Sequence, residues 1–174
     1  MRPLPDLQIR ALVEADLMAY KALRDHALAH HEEAFTSDAV TEAQRTAQSY
    51  RARLGSQADG GFTLAAWRGD RLVGAITCER DPRSKVRHIG HIVGTMVAND
   101  QQSQGVGRAL LDALIARASA DDEVHQLTLS VTASNTAAVR LYETAGFTRY
   151  GSLARAIRVG ERFFDKHLMQ LNLR

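Results

Sequence analysis

The stretch QQSQGVGRALLDALIARA, from Gln101 to Ala118, joins a polar segment with two glycines directly to an amphipathic run. Apolar residues recur in it at helical spacing and predict one buried helix face: Leu110, Leu111, Leu114 and Ile115. The first N–H groups of a helix have no partner within the helix and carry partial positive charge, and glycines let a bulky anion approach them. The stretch therefore predicts a helix whose N-terminus accepts an anion.

The glycines of this stretch fit one phosphate-binding pattern better than two others. Gln102, Gly105 and Gly107 match Gln-x-x-Gly-x-Gly, whereas a P-loop requires Gly-Lys-Ser/Thr and a dinucleotide fingerprint requires a third glycine where Leu110 stands. Arg108 lies in the first helical turn, where a cation opposes the helix dipole unless an anion is nearby. The stretch resembles the pyrophosphate loop of acetyl-CoA-dependent N-acetyltransferases, and a glycine-rich helix entry without a ligand is the alternative.

Length and composition indicate one ordinary globular domain. The chain has 174 residues, of which 45% are hydrophobic and 24% charged, and its formal net charge is only +2. The densest basic group lies between Arg80 and Arg87, and Asp81 interrupts it. A mildly basic surface suits an anionic ligand, but no basic run indicates a nucleic-acid partner.

The one cysteine and the apolar runs limit the class of protein further. Cys78 excludes a disulfide within the chain and a cysteine-based zinc cluster, and its apolar surroundings favour a buried side chain. The N-terminus lacks the apolar core of a signal peptide, and no run reaches the roughly 20 residues of a membrane span. We expect a soluble, cytoplasmic protein without a membrane partner.

The order of patterns along the chain predicts a mixed α/β domain. The predicted segments are a strand (7–13), two helices (14–31 and 38–54), a loop (55–61), three strands (62–67, 71–80 and 86–98), the helix after the glycine loop, a strand (123–131), a short helix closed by Gly146 and two strands within 147–173. This order, β-α-α-β-β-β-α-β-α-β-β, covers residues 1–174 with a core of about 7–173 and contains no linker or repeat.

A second motif follows about 30 residues after the loop, with one strand between. The segment SNTAAVRLYETAGF fits Asn-x-x-Ala-x-x-x-Tyr-x-x-x-Gly-Phe through Asn135, Ala138, Tyr142, Gly146 and Phe147. With both motifs in register, the chain resembles the GNAT superfamily of N-acetyltransferases over nearly its whole length. The ending RAIRVGERFFDKHLMQL resembles the closing hairpin of members that acetylate small molecules or ribosomal proteins.

The resemblance implies a fold and a donor. The mostly antiparallel central sheet should be splayed at a bulge, where the fourth strand, from His91 to Ala98, diverges from the fifth, from Leu127 to Val131. The opening admits acetyl-CoA as co-substrate, and a backbone N–H near Val97 polarises the thioester oxygen. The implied donor-binding residues are Met96, Val97, Gln102, Gln104, Gly105, Val106, Gly107, Arg108, Asn135 and Tyr142.

Direct transfer to a primary amine in a ternary complex needs an acid for the thiolate and a base for the amine. Tyr142 lies on the apolar stripe of its helix and is the implied acid; the alternative is a buried tyrosine with a satisfied hydroxyl. Asn135 at the start of that helix also suits an N-cap.

The base is open between two residues. Many family members carry a glutamate on the strand before the loop, where this chain has histidines instead, and His91 and Glu79 are the candidates. Strict alternation places His91 on one face with Val93, Thr95 and Val97, unless a bulge intervenes. A partly buried histidine with a structural partner is the alternative for His91.

The two N-terminal helices and the closing hairpin wall the acceptor cleft in this fold. Glu33, Phe35 and Asp165 are the candidate acceptor contacts, and the His-His-Glu-Glu run that ends at Glu33 is read as a solvated helix end, so no metal is expected. The acceptor is a small-molecule or peptide amine, and a homodimer is possible because dimers are common in the family. The alternatives are a non-catalytic acyl-CoA-binding module and, less well supported, a nucleotide-binding domain.

Overall fold

A seven-stranded mixed sheet organises the chain in the computed structural model, which describes residues 6–54 and 61–174. The strands are β1 (Leu7–Ala11), β2 (Phe62–Arg68), β3 (Arg71–Arg80), β4 (Ile89–Val97), β5 (Gln126–Thr132), β6 (Thr148–Val159) and β7 (Arg162–Asn172). Their order in the sheet is β1-β2-β3-β4-β5-β7-β6, and all neighbours are antiparallel except β4 and β5. The predicted fold class and element order are confirmed.

Within residues 6–54 and 61–174, four α-helices connect the strands: α1 (Leu17–His30), α2 (Ala39–Ala43), α3 (Val106–Ser119) and α4 (Thr136–Thr144). The single helix predicted from Asp38 to Leu54 is wrong, because α2 ends early and a 3-10 helix covers Ala47–Leu54. That segment buries only Ala47 and Tyr50 and has no continuous apolar stripe to hold one α-helix. The predicted loop from Gly55 lies, apart from Gly61, outside the described residues.

Each face of the sheet carries its own apolar core. On the first face, α3 packs through Leu110, Leu111 and Leu114 against side chains such as Ile92 and Leu127, and α4 adds Tyr142. We call this the α3 face. On the other face, here called the α1 face, α1 packs with the 3-10 helix against β2, β3 and β4, with buried side chains that include Tyr20, Tyr50, Ala75 and Met96. Within the described residues, no helix is long and apolar enough to span a membrane.

The parallel pairing of β4 with β5 is short. It joins Ile89 to Gln126 and ends where Ile92 meets Leu129, although β4 continues to Val97 and β5 to Thr132. The C-terminal ends of these two strands are therefore separate, as the predicted splay requires. The loop before α3 starts at the end of β4, so the glycine motif lies beside this opening.

Candidate functional site

A bulge in β4 at the splay reverses the faces to which its side chains point. Between the pairs Thr77–Val93 and Ala75–Met96, one residue of β3 opposes two of β4, and Gly94 adopts a φ of +59°. Regular alternation would put residues 92 and 96 on the same face, but Ile92 lies in the core of the α3 face and Met96 in that of the α1 face.

The bulge changes which residues share a face of the sheet with His91. His91 and Val93 precede the bulge and point to the α1 face, whereas Thr95 and Val97 follow it and point to the α3 face. The exception to strict alternation therefore applies: the two-for-one pairing at the bulge shifts the alternation by one residue and separates His91 and Val93 from Thr95 and Val97.

The glycine loop leads into an N-terminus of α3 that carries no side-chain cap. Gly105 is the N-cap residue with a φ of +84°, and Ser103 also has a positive φ of +60°. The N–H groups of the first turn, at Val106, Gly107 and Arg108, have no partner within the helix because the first intrahelical bond runs from the next residue to Gly105. These groups, together with the helix dipole, form an anion-binding position.

Side chains around the loop hold it in place. The side-chain amide of Gln104 donates to the carbonyl of Asp100 at 2.8 Å, and that of Gln102 donates to Asn99 Oδ1 at 3.1 Å. The ring Nε2 of His31 lies 2.9 Å from the same Asn99 oxygen. Sequence reasoning assigned His31 to the acceptor wall, but the end of α1 brings it to the donor loop instead.

Arg108 has an anionic partner within its own helix. Its Nε donates to Asp112 Oδ1 at 2.8 Å, one turn further along α3. The placement of a cation in the first turn therefore needs no bound phosphate to explain it. Val106 and Met96 are buried in the two cores, so only their backbone groups are available to a ligand.

Tyr142 is buried on the α3 face beside the bulge. Its hydroxyl donates to Thr95 Oγ1 at 3.3 Å, and its ring packs edge-on against Phe147 at a centroid distance of 5.8 Å. Burial raises the pKa of the Tyr142 hydroxyl, against a smaller lowering by the contact with Thr95. The group is thus held in its protonated form. Asn135 caps α4, because its Oδ1 accepts a hydrogen bond from the N–H of Ala138 at 3.1 Å.

The two candidate bases lie together on the α1 face, on the side of the sheet opposite to Tyr142. Glu79 and His91 are directly paired across β3 and β4, and both are exposed. His91 Nδ1 contacts Thr128 Oγ1 at 2.7 Å, whereas Glu79 forms an ion pair with Arg53. The contact with Thr128 holds the His91 ring at the last part of the β4–β5 pairing, directly before the splay.

A cavity of about 330 Å³ lies between the segment after α1 and the β6–β7 hairpin. Phe35, Asp38 and Ile157 are among the residues that line it. Of the predicted acceptor contacts, Phe35 lines the cavity, but Glu33 and Asp165 do not.

The other two acceptor candidates make local hydrogen bonds. The carbonyl of Glu33 accepts from Thr132 Oγ1 at 2.6 Å, which ties the segment after α1 to the end of β5. The carboxylate of Asp165 accepts from the N–H of Arg155 at 2.8 Å, at a β6 residue with a φ of +54°.

The His-rich end of α1 does not converge on one point. The rings of His26 and His30 stack with centroids 4.0 Å apart, whereas His31 contacts Asn99. In the part of the chain that the structure describes, no group of three or more His, Cys, Asp or Glu side chains is arranged to hold a metal ion.

Comparison with known proteins gives a family match over most of the chain. The model of the "Acetyltransferase (GNAT) family" matches residues 20–147. A curated mycothiol acetyltransferase from Geodermatophilus obscurus is 39% identical over 92 residues, which are 52% of this chain and 29% of that protein. An L-methionine sulfoximine/L-methionine sulfone acetyltransferase from Pseudomonas aeruginosa is 35% identical over 77 residues, 44% of each chain. The matches thus span less than two thirds of these relatives' own length.

Solved structures match the fold over nearly the whole length. An acetyltransferase of the GNAT family from Streptococcus pneumoniae has a TM-score of 0.85 at 30% identity, with 95% of this chain and 98% of that chain covered. A putative acetyltransferase from Salmonella typhimurium, solved with its cofactor acetyl-CoA, has a TM-score of 0.80 at 25% identity, with 97% and 94% covered.

Proposed function

Because this chain belongs to the acetyltransferase (GNAT) family, we propose that it transfers the acetyl group of acetyl-CoA directly to the primary amine of an acceptor in a ternary complex. The observation that carries this proposal is the position of the uncapped N-terminus of α3 beside the splay of β4 and β5, with Tyr142 at the same opening. A similar structure that holds acetyl-CoA supports the identity of the donor.

The first step is binding of the donor. The N–H groups at Val106, Gly107 and Arg108 receive the pyrophosphate, and the side chains of Gln102 and Gln104 keep the loop in the required shape. The pantetheine arm lies in the splay, where the ends of β4 and β5 offer unpaired backbone groups. The backbone N–H near Val97 polarises the thioester carbonyl, as an oxyanion hole does.

The chemical step exchanges one bond for another. The nitrogen lone pair of a neutral amine attacks the carbonyl carbon, a C–N bond forms, and the C–S bond breaks to release the CoA thiolate. The amine loses a proton to a base or to water, and the thiolate receives one from the Tyr142 hydroxyl. Tyr142 faces the opening from the α3 side and His91 from the α1 side, so the structure supports two separate paths for the two protons.

The change Tyr142→Phe should lower kcat by about 10- to 100-fold and leave the Kd for CoA within about twofold. The effect is moderate because transfer from a tyrosine to a thiolate is uphill by about 2 kcal/mol at reference pKa values. Burial raises the pKa of Tyr142 and adds to that cost. Steady-state thiol release and calorimetry with CoA measure the two quantities. An unchanged kcat with a normal melting temperature would rule out Tyr142 as the acid.

The pH profile of kcat/KM should identify the base. We expect His91→Ala to lower kcat/KM by about 10- to 100-fold and to remove its decrease at low pH, because His91 lies beside the splay. Glu79→Gln is the matched comparison, and it should leave the profile unchanged since the ion pair with Arg53 engages that carboxylate. The assignment is wrong if Glu79→Gln, rather than His91→Ala, flattens the profile.

An acceptor screen tests the function itself. Purified protein with acetyl-CoA should release thiol in the presence of one class within a panel of amino acids, polyamines, aminoglycosides and peptides, with the product identified by mass spectrometry. CoA binding without thiol release from any amine would favour the non-catalytic acyl-CoA-binding module instead. Tighter binding of NAD or ATP than of acetyl-CoA would contradict both.

A further inference from the structure

Lys166 of β7 lies on the same face of the sheet as the proposed base. It is paired with Thr132, the last residue of β5, in a register without interruption. Met169 lies in the core of the α3 face, so regular alternation along β7 places Lys166 on the α1 face. Lys166 therefore shares this face with His91.

The side chain of Lys166 reaches the opening between β4 and β5. Its Nζ lies 3.4 Å from Ser130 Oγ. Ser130 directly follows Leu129, whose pairing with Ile92 is the last between β4 and β5. The amino group thus contacts the first residue of β5 within the splay, where we propose that the pantetheine arm and its thioester lie.

A cavity of about 490 Å³ on the α1 face lies against both strands of this opening. Its lining includes His91 and Val93 from β4 and Ser130 from β5. The amino group of Lys166, which contacts Ser130 Oγ, therefore borders the same space as the His91 ring. Because a lysine stem has four flexible carbons, Nζ can move along this space toward the splay.

The surroundings of Lys166 favour the neutral amine that acetyl transfer requires. Its side chain is half-buried, and burial lowers the pKa of the amino group. In the part of the chain that the structure describes, no carboxylate oxygen lies within 4.0 Å of Nζ to oppose this effect. The other two lysines differ, because Lys21 forms an ion pair with Asp25 and Lys85 is exposed in the turn between β3 and β4.

We propose that Lys166 is an intramolecular acetyl acceptor, which this chain acetylates at Nζ when no external amine is present. The Nζ lone pair attacks the thioester carbon, a C–N bond forms, and the C–S bond breaks with its electron pair on the CoA sulfur. Nζ loses a proton to His91 or to water, and the thiolate receives one from Tyr142. The product is an uncharged amide. This inference rests on the proposed acetyltransferase function and adds a modification site to it.

The test incubates the whole chain with acetyl-CoA that carries a deuterated acetyl group, without any amine. Peptide mapping by mass spectrometry measures the label at all three lysines and distinguishes it from acetyl groups acquired during expression. We expect Lys166 to be labelled at least about tenfold faster than Lys85, because proximity makes its acetylation unimolecular. For the same reason its rate constant should not depend on the protein concentration.

Competition and matched variants separate this reaction from chemical acetylation in solution. Excess desulfo-CoA, which occupies the donor site without a thiol, should suppress the labelling of Lys166 and leave that of Lys85 unchanged. Lys166→Arg should remove most of the total label, whereas Lys85→Arg should remove little of it. Both variants keep the positive charge, and a thermal melt of each checks that it is folded.

The outcomes distinguish this inference from the proposed function. Equal labelling of Lys85 and Lys166, no effect of desulfo-CoA, or a rate constant that increases with protein concentration would each overturn the intramolecular reaction. Thiol release with an external amine in the acceptor screen would then leave the acetyltransferase function intact. A lack of label at Lys166 together with a lack of thiol release with every amine would overturn both proposals.

Discussion

The substitution Gly107→Asp should weaken CoA binding by about 100-fold while it leaves the protein as stable as before or more so. Gly107 lies in the first turn of α3, where a carboxylate interacts favourably with the helix dipole and where replacement of glycine favours the helix, together by about 1 kcal/mol. A Cβ at this position meets Leu141 and Val97 only at ordinary contact distances of 3.6 and 3.7 Å. The same carboxylate repels a pyrophosphate bound to the N–H groups around it.

Opposite signs for stability and affinity make this prediction specific. Calorimetry with CoA and a thermal melt measure the two effects. Gly160→Asp in the turn between β6 and β7 is the control for CoA binding alone, because its Cβ has nothing within 4 Å but its φ of +59° strains any side chain and should lower the melting temperature. S-acetylpantetheine, which lacks the pyrophosphate, should be used equally well by Gly107→Asp and by the unmodified protein. An unchanged Kd for CoA would show that the start of α3 does not bind the donor.

The largest effect on stability should come from Glu42→Gln, with a loss of about 3 kcal/mol at pH 7. Burial alone would raise the pKa of Glu42, but hydrogen bonds from Tyr50, Arg24 and Arg45 outweigh it and lower that pKa from 4.5 to about 2. A pKa lowered by this amount corresponds to roughly 3 kcal/mol of stabilisation at neutral pH. The amide keeps the shape of the carboxylate but leaves the buried Arg24 charge without its counterion.

The stabilisation by the Glu42 carboxylate should depend on pH. Because the pKa of Glu42 is lower in the folded state than in the unfolded state, its stabilisation is complete above about pH 4.5 and is lost as the pH falls toward 2. Urea unfolding at several pH values measures the free energy of unfolding. The difference in this free energy between the unmodified protein and Glu42→Gln should narrow as the pH falls over this range. Asp81→Asn is the control. Arg83 also lowers the pKa of Asp81 to about 2, but this pair lies at the surface, so the substitution should change the free energy of unfolding little. If that difference in the free energy of unfolding were the same at all pH values, the stabilisation by Glu42 would not come from its charge.

The parts of the site that lie in one contiguous segment are the parts that the sequence predicts well. The glycine loop with α3, and α4 with Asn135 and Tyr142, each carry their chemistry on a single helix whose start and stop signals are local. The splay of the sheet came from the family resemblance, and the short pairing of β4 with β5 confirms it.

Features that depend on pairing between distant segments were missed. The family resemblance predicts a bulge in the fourth strand, but only the pairing of β4 with β3 shows that it lies at Gly94 and separates His91 from Thr95 and Val97. The contact of His31 with Asn99 joins residues 68 positions apart, and that of Arg24 with Glu42 joins residues 18 positions apart. No local pattern specifies such contacts, because they depend on how α1 packs on the sheet.

The bulge in β4 limits how the sequence of this strand can change. Before Gly94 the odd-numbered side chains of β4 point to the α1 face, where we propose that the amine binds, and after it they point to the α3 face, where Tyr142 lies. We expect substitutions at Val93 to change acceptor preference without altering the use of the donor. A one-residue deletion at the bulge would exchange the two faces, so we expect substitutions to be tolerated along β4 far better than changes in its length.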